Sequence, residues 1–150
     1  MPRFYPALLA LAVLAIPAWS TQHAVPPDRL SATFQLCDRG PRIDCVVDGD
    51  TFWLAGEKIR IADINAPETH EPQCPREAAL GAAATARLTG LLNAGPFALE
   101  PWSATINRGR DRDKYGRLLR IVERGGTSLG TTLVREGLAE EWTGRRRNWC

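Results

Sequence analysis

The fold is decided by the segment TFWLAGEKIRIADI, which runs from residue 51 to residue 64. Residues 51–54 are β-prone, residues 55–57 favour a turn, and residues 59–64 are β-prone again. Because alternate side chains of a strand face opposite sides of the sheet, Arg60 is expected to face away from both neighbouring isoleucines. The segment therefore predicts a β-hairpin with one apolar face.

Elements on both sides of this hairpin complete a small α+β domain. Further short strands are predicted at residues 34–36, 43–47, 97–99 and 118–122. Residues 75–92 have leucines at helical spacing, with Pro75 in the first turn and Gly95 after the end. A second helix is predicted at 129–136. Runs of strands separated by helices argue against a parallel βαβ fold and fit a small barrel with helices, such as an OB-fold.

The first 20 residues predict a signal peptide. Arg3 precedes an apolar run at 5–18 that is too short to span a bilayer, and cleavage after Ser20 would leave small residues at the expected positions. A buried N-terminal helix is the alternative. We expect a flexible segment at 21–33, a domain at 34–150, an exported protein that is periplasmic or secreted, and a mature form that does not contact a membrane.

Four cysteines remain after the predicted cleavage, at positions 37, 45, 74 and 150. An even number of cysteines on an exported chain predicts disulfides. Zinc binding is the alternative, but there is no CxxC pair and only two histidines are present. Of the three possible pairings we favour Cys37–Cys45, which closes a short loop, with Cys74–Cys150, which ties down the C-terminal end.

Net charge does not by itself point to a nucleic-acid partner. The chain carries a formal charge of +2, and removal of the only charged side chain in 1–20, Arg3, leaves +1. Basic residues cluster at 108–120 and 145–147, and for each cluster a solvated surface is the commoner explanation.

Several short motifs carry groups suited to chemistry, although each one alone is common. An acidic turn such as Asp48-Gly49-Asp50 presents oxygens that a hard cation accepts, but it is also an ordinary hairpin turn. The set consists of DGDT at 48–51, IRI at 59–61, APET at 66–69, DKYGR at 113–117 and LVREGLA at 133–139. In order and approximate spacing, these five motifs closely resemble the thermonuclease (staphylococcal-nuclease-like) family over about residues 43–142.

The resemblance implies a five-stranded OB-fold barrel and calcium-dependent hydrolysis of phosphodiester bonds in DNA and RNA. It implies that Asp50, Asn65 and the backbone carbonyl of Ala66 bind Ca²⁺, with Asp48 as an acidic group behind them. A calcium ion neutralises charge on a phosphodiester and can hold the attacking water. A monomer is expected.

The resemblance also assigns the groups that act on the substrate. Arg60 and Arg117 are expected to hold the scissile phosphate through paired hydrogen bonds that strengthen as charge develops. Glu68 is expected to act as general base or to orient the water. Lys114 and Tyr115 match positions that contact the nucleotide.

Two positions depart from the family pattern. Asn65 stands where the family has a second metal-binding aspartate, so the site loses one negative charge and weaker calcium binding is expected. Asp63 is disfavoured as a replacement ligand. The chain ends at Cys150, before the family's last long helix, and a Cys74–Cys150 disulfide is expected to replace the bracing of that helix.

Three functions remain open from the sequence: a secreted nuclease, a non-catalytic OB-fold that binds nucleic acid, and a disulfide-stapled structural domain. Asn65 favours the second, because the metal site is weakened. The presence of Arg60, Glu68 and Arg117 together favours the first, since a binding domain has no need of a general base.

Overall fold

A computed structural model describes Met1 and residues 28–38, 40–102 and 110–150 of the chain. The predicted signal peptide, apart from Met1, and residues 21–27 of the predicted flexible segment lie outside the described residues. The rest of that segment reaches the domain, where the backbone N–H groups of Arg29 and Leu30 both donate to the carbonyl of Phe97. Among the described residues, no helix combines the length and the apolar character needed to cross a membrane.

The domain is built mainly on one mixed β-sheet and two helices. The sheet order is β1-β2-β3-β4-β7-β6, β8 pairs with β7, and β5 and β9 form a separate two-stranded ribbon. The elements are β1 (Gln35–Leu36), β2 (Cys45–Asp48), β3 (Thr51–Leu54), β4 (Glu57–Ile61), β5 (Ile64–Asn65), α1 (Pro75–Asn93), β6 (Ala98–Pro101), β7 (Leu118–Arg124), β8 (Thr127–Ser128), α2 (Leu129–Arg135) and β9 (Glu140–Glu141).

The predicted hairpin is present as β3 and β4, which pair antiparallel. Ile59 and Ile61 are buried in the core, while Arg60 lies on the opposite face and is partly exposed. Both turn residues, Ala55 and Gly56, have positive φ values of 50° and 80°. Positive φ values suit a tight hairpin turn, and glycine adopts them with little steric strain.

The prediction of a single strand at 59–64 is wrong, because β4 ends at Ile61, the chain turns, and β5 begins at Ile64. The backbone at the turn pairs with two different partners: the Ala62 N–H donates to the carbonyl of Arg120, and the Asp63 carbonyl accepts from Trp142. The sheet also contains parallel pairs, including β4 with β7. Local sequence patterns did not indicate these long-range pairings.

Helix α1 packs across the sheet and holds two loops in place. Its buried leucines join an aromatic cluster of Phe34, Phe52 and Phe97, whose ring centroids lie 5.8 to 6.4 Å apart. Gly49, in the turn between β2 and β3, touches this helix so closely that a Cβ there would lie 2.6 Å from that of Ala84. The same Cβ would lie 2.7 Å from that of Ala66. Glycine therefore permits the close approach of turn, helix and loop.

Both favoured disulfides are present. Cys37–Cys45 links residues 8 positions apart beside β1 and β2, and Cys74–Cys150 links residues 76 positions apart. Cys74 is the residue that immediately precedes α1. The second disulfide therefore fastens the C-terminal end to the start of the helix.

Candidate functional site

Asp50 lies in the turn between β2 and β3 and ties together two parts of the site. Its carboxylate is buried, with one oxygen accepting a hydrogen bond from the Ala66 N–H at 2.8 Å and the other from the Thr51 hydroxyl at 2.9 Å. The first of these bonds joins the turn to the loop after β5. Two of the predicted metal-binding residues, Asp50 and Ala66, are therefore in direct contact.

Asp48 is the second carboxyl of this turn. One of its oxygens accepts a hydrogen bond from the Asp50 N–H at 3.0 Å. Burial, followed by the nearby charge of Asp50, raises the pKa of Asp48 to about 7. The structure thus concentrates acidic groups where the sequence predicted a metal-binding turn.

The two predicted phosphate-holding arginines line one cavity of about 260 Å³. Arg60 reaches it from β4 and forms an ion pair with Asp50 at 3.2 Å. Arg117, just before β7, donates from Nε to Asp113 at 2.7 Å and from Nη1 to the Thr51 hydroxyl at 3.3 Å. Both guanidiniums are therefore held by neighbouring acceptors.

Asp113 orients Arg117 and is itself affected by it. Burial raises the pKa of Asp113, but hydrogen bonds from the side chain and backbone of Arg117 outweigh burial, so the net pKa is lowered. The guanidinium therefore faces a carboxylate that stays charged to low pH.

Lys114 and Tyr115, the predicted nucleotide contacts, lie beside Arg117. Tyr115 is 69% exposed. The Lys114 Nζ lies 4.9 Å from the centroid of its ring, and the Arg117 guanidinium carbon lies 5.5 Å from it. An exposed ring flanked by two cations is a surface on which a base can stack beside its phosphate.

Asn65, Ala66 and Glu68 line a second, smaller cavity of about 60 Å³. Residues of the C-terminal tail, including Arg146 and Arg147, line it as well. Arg146 donates to Glu68 at 2.5 Å. The sequence alone did not single out this tail as part of the site, since its arginines were indistinguishable from a solvated basic cluster.

Glu77, in the first turn of α1, was also missed. It is buried, and its carboxylate accepts hydrogen bonds from the Gln73 N–H at 2.7 Å and from the Glu68 N–H at 3.4 Å. It thereby holds the loop that carries Glu68. An acidic residue early in a helix is so common that its sequence position gave no signal.

Asn65 is buried, and its side-chain NH₂ donates to Glu140 on β9 at 2.9 Å. Within the described part of the chain, no three His, Cys, Asp or Glu side chains come together as a metal-binding group. The predicted ligands are instead one carboxylate, one amide and one backbone carbonyl. Each of these groups would bind a cation through an oxygen atom, and hard cations such as Ca²⁺ prefer oxygen ligands. The chemistry of the predicted ligands therefore fits calcium.

The fold and the site together define a small α+β domain in which two arginines line one cavity and one of them is paired with a buried aspartate. Residues 58–148 match the family model described as staphylococcal nuclease homologue, and the chain belongs to that family. The matched range includes Arg60, Asn65, Glu68 and Arg117, and begins after the turn that carries Asp48 and Asp50.

Two curated relatives from Bacillus subtilis (strain 168) are similar over much of the domain. Endonuclease YncB and SPbeta prophage-derived endonuclease YokF are each 38% identical over 102 residues, which is 65% of this chain. The matches cover 45% and 32% of the relatives themselves, so the chain spans less than half of their length.

Proposed function

We propose that this protein is a calcium-dependent nuclease that hydrolyses phosphodiester bonds in DNA and RNA. The observation that carries the proposal is the convergence of Arg60 and Arg117 on one cavity, with Asp50 in contact with Arg60. Family membership and the names of the two endonuclease relatives support it.

We propose a five-stranded OB-type unit as the framework of this nuclease. Strands β2, β3, β4, β7 and β6 lie in that order in the sheet, with β4 and β7 as its parallel pair. This order supports the assignment, since it places the hairpin that carries Arg60 beside the strand that follows Arg117.

Arg60 and Arg117 bind the non-bridging oxygens of the scissile phosphate in this mechanism. Their planar guanidiniums donate paired hydrogen bonds, which grow stronger as negative charge builds on the phosphate in the transition state. Asp113 and Thr51 keep Arg117 in place, so little reorganisation is needed when the substrate arrives.

The proposed calcium ligands are Asp50, the side-chain oxygen of Asn65 and the carbonyl of Ala66, with Asp48 as the acidic group behind them. The chemistry that calcium supplies when bound is charge neutralisation at the phosphate and orientation of water. The close turn at Gly49 supports this assignment, because it allows Asp50 and Ala66 to touch.

Glu68 is the proposed general base and takes a proton from the attacking water. Its partner Arg146 is 62% exposed at the side chain and Glu68 is 40% exposed. Exposed ion pairs of this kind stabilise by only about 0–1 kcal/mol. A substrate phosphate can therefore draw Arg146 away and leave the carboxylate of Glu68 available.

An assay of purified protein on single-stranded DNA and on RNA, with millimolar calcium or with excess chelator, tests this function. We expect degradation with calcium and none with chelator. Equal activity in both conditions would contradict the calcium mechanism, and no activity on either substrate would contradict the nuclease assignment.

The second candidate is a non-catalytic domain that binds nucleic acid. It is favoured by Asn65, whose amide is bonded to Glu140 and brings no charge of its own. Binding of an oligonucleotide without cleavage in calcium would select it. Export to the periplasm or the exterior is a further proposal, supported by the two disulfides, and a monomeric state is proposed with it.

A further inference from the structure

Asn65 and Glu140 form a directly opposed pair in the β5–β9 ribbon. The Asn65 side-chain NH₂ donates to Glu140 Oε1 at 2.9 Å, and only 3% of Asn65 is exposed. The same Glu140 oxygen accepts a second hydrogen bond, from the Arg147 N–H at 2.7 Å. The carboxylate is thus held in place by donors from two different segments.

The chemistry of the pair fixes the orientation of the Asn65 amide. A carboxylate only accepts hydrogen bonds, so the branch of the amide that faces Glu140 must be the NH₂ group. The amide oxygen lies on the other branch of the same planar group and is directed away from Glu140. A flipped amide would set oxygen against oxygen, which a buried site does not tolerate.

We propose that Glu140 is a positioning residue for the cation site. It turns the oxygen of Asn65 toward a hard divalent cation and places beside residue 65 the negative charge that asparagine lacks. This inference rests on the proposed function, because it is the calcium site that the oxygen serves. The apparent loss of a carboxylate at position 65 is then a transfer of that charge to β9.

The Asn65→Asp variant should then behave opposite to the simplest expectation, which is tighter calcium binding. An aspartate there would put a carboxylate where the amide now donates, so the carboxylates of a buried residue 65 and a half-buried Glu140 would meet at the position of the present hydrogen bond. Replacing Glu140 with glutamine at the same time restores the bond in mirror image. The introduced glutamine would donate its NH₂ to the introduced aspartate, but that NH₂ would occupy the place of the oxygen that now accepts from the Arg147 N–H, so the bond to Arg147 would be lost.

Four proteins test this exchange: wild type, Asn65→Asp, Glu140→Gln and the double variant. Glu141→Gln serves as a matched control, because it removes the same charge from the next, exposed position of β9. Each protein is titrated with calcium by calorimetry and unfolded with denaturant in excess chelator. Neither measurement depends on cleavage.

We expect Glu140→Gln to weaken calcium binding about tenfold, because glutamine still accepts from Asn65 but no longer supplies the negative charge beside it, and changes behind a metal ligand commonly have effects of this size. Glu141→Gln is expected to bind as wild type. Asn65→Asp alone is expected to unfold at lower denaturant and to bind calcium no tighter than wild type. The double variant is expected to recover part of the stability that Asn65→Asp loses, since the bond from Arg147 is not restored, and to bind calcium more tightly than either single variant.

Independent effects of the two substitutions would overturn the proposal, as would Asn65→Asp tightening calcium binding with Glu140 intact. If Asn65→Asp does not fold, recovery of folding in the double variant is the supporting result and its failure the contrary one. A wild type that binds no calcium contradicts the proposed function. The free energies of unfolding measured in chelator still decide separately whether Glu140 fixes the amide, because they show whether the effects of the two substitutions depend on each other.

Discussion

The sheet side and the tail side of the candidate site are built differently. On the sheet side, Arg60 and Arg117 have side chains only 11% and 19% exposed, and strands or their adjoining turns carry both. On the tail side, Glu68 and Arg146 are 40% and 62% exposed and lie outside any strand or helix. The rigid side suits groups that must keep their geometry, and the open side suits a contact that substrate exchanges.

The largest effect on turnover is expected on the sheet side. Arg60→Ala and Arg117→Ala should each lose ~10²-fold or more in rate, because each removes a charged donor to the developing transition state. Lysine at either position should rescue poorly, since it lacks the planar fork. Turnover on single-stranded DNA, with circular dichroism to confirm folding, is the measurement.

A matched control is Arg87→Ala. Arg87 forms an exposed ion pair with Glu136 on the outer face of α1, away from both cavities. Turnover of this variant should equal that of wild type. Near-normal turnover of a folded Arg60→Ala or Arg117→Ala protein would remove that arginine from phosphate binding.

An intermediate effect is expected from opening the Cys74–Cys150 disulfide with paired serine substitutions. Loss of a disulfide that closes a long loop typically costs about 2–4 kcal/mol of stability. Turnover should fall less than in the arginine variants, because the sheet side is untouched. Denaturant unfolding and initial rates measure the two effects.

Serines at Cys37 and Cys45 provide the comparison, because that disulfide closes a loop of only 8 residues against 76. Losing the disulfide that closes the shorter loop should lower stability by less and leave turnover unchanged. A larger activity loss from the Cys37–Cys45 pair than from the Cys74–Cys150 pair would argue that the tail plays no part in the site.

The smallest effect is expected from Arg146→Ala. Because the ion pair with Glu68 is exposed, stability should change by less than about 1 kcal/mol. The rate should stay within a few-fold of wild type, measured at saturating and at limiting substrate. A loss comparable to that of Arg60→Ala would show that the tail is as essential as the sheet.

The sequence predicted those features that depend on local patterns. Alternation around Arg60 indicated its outward orientation, and the leucine spacing with Pro75 and Gly95 gave α1 to within one residue at its end. The favoured cysteine pairing is also present. These features are encoded within short stretches, or in a number of cysteines that allows few pairings.

Apart from Glu77, whose partners are close in sequence, the missed features join distant parts of the chain. Glu140 meets Asn65 across 75 positions and Arg146 meets Glu68 across 78. No periodicity relates such residues, and Glu140 and Arg146 are charged side chains of a kind that usually lies in solvent. The break between β4 and β5 was missed for the same reason, since it depends on pairing with β9.

The Cys74–Cys150 disulfide also imposes an order on the making of the site. Cys150 is synthesised 76 positions after Cys74, so the crosslink cannot form until every strand and helix between them has been made. Asp50 and Arg60 are already in the chain when Cys74 is added. A chain still in synthesis therefore carries Glu68 without its arginine partner, and the tail side is the last part to be completed.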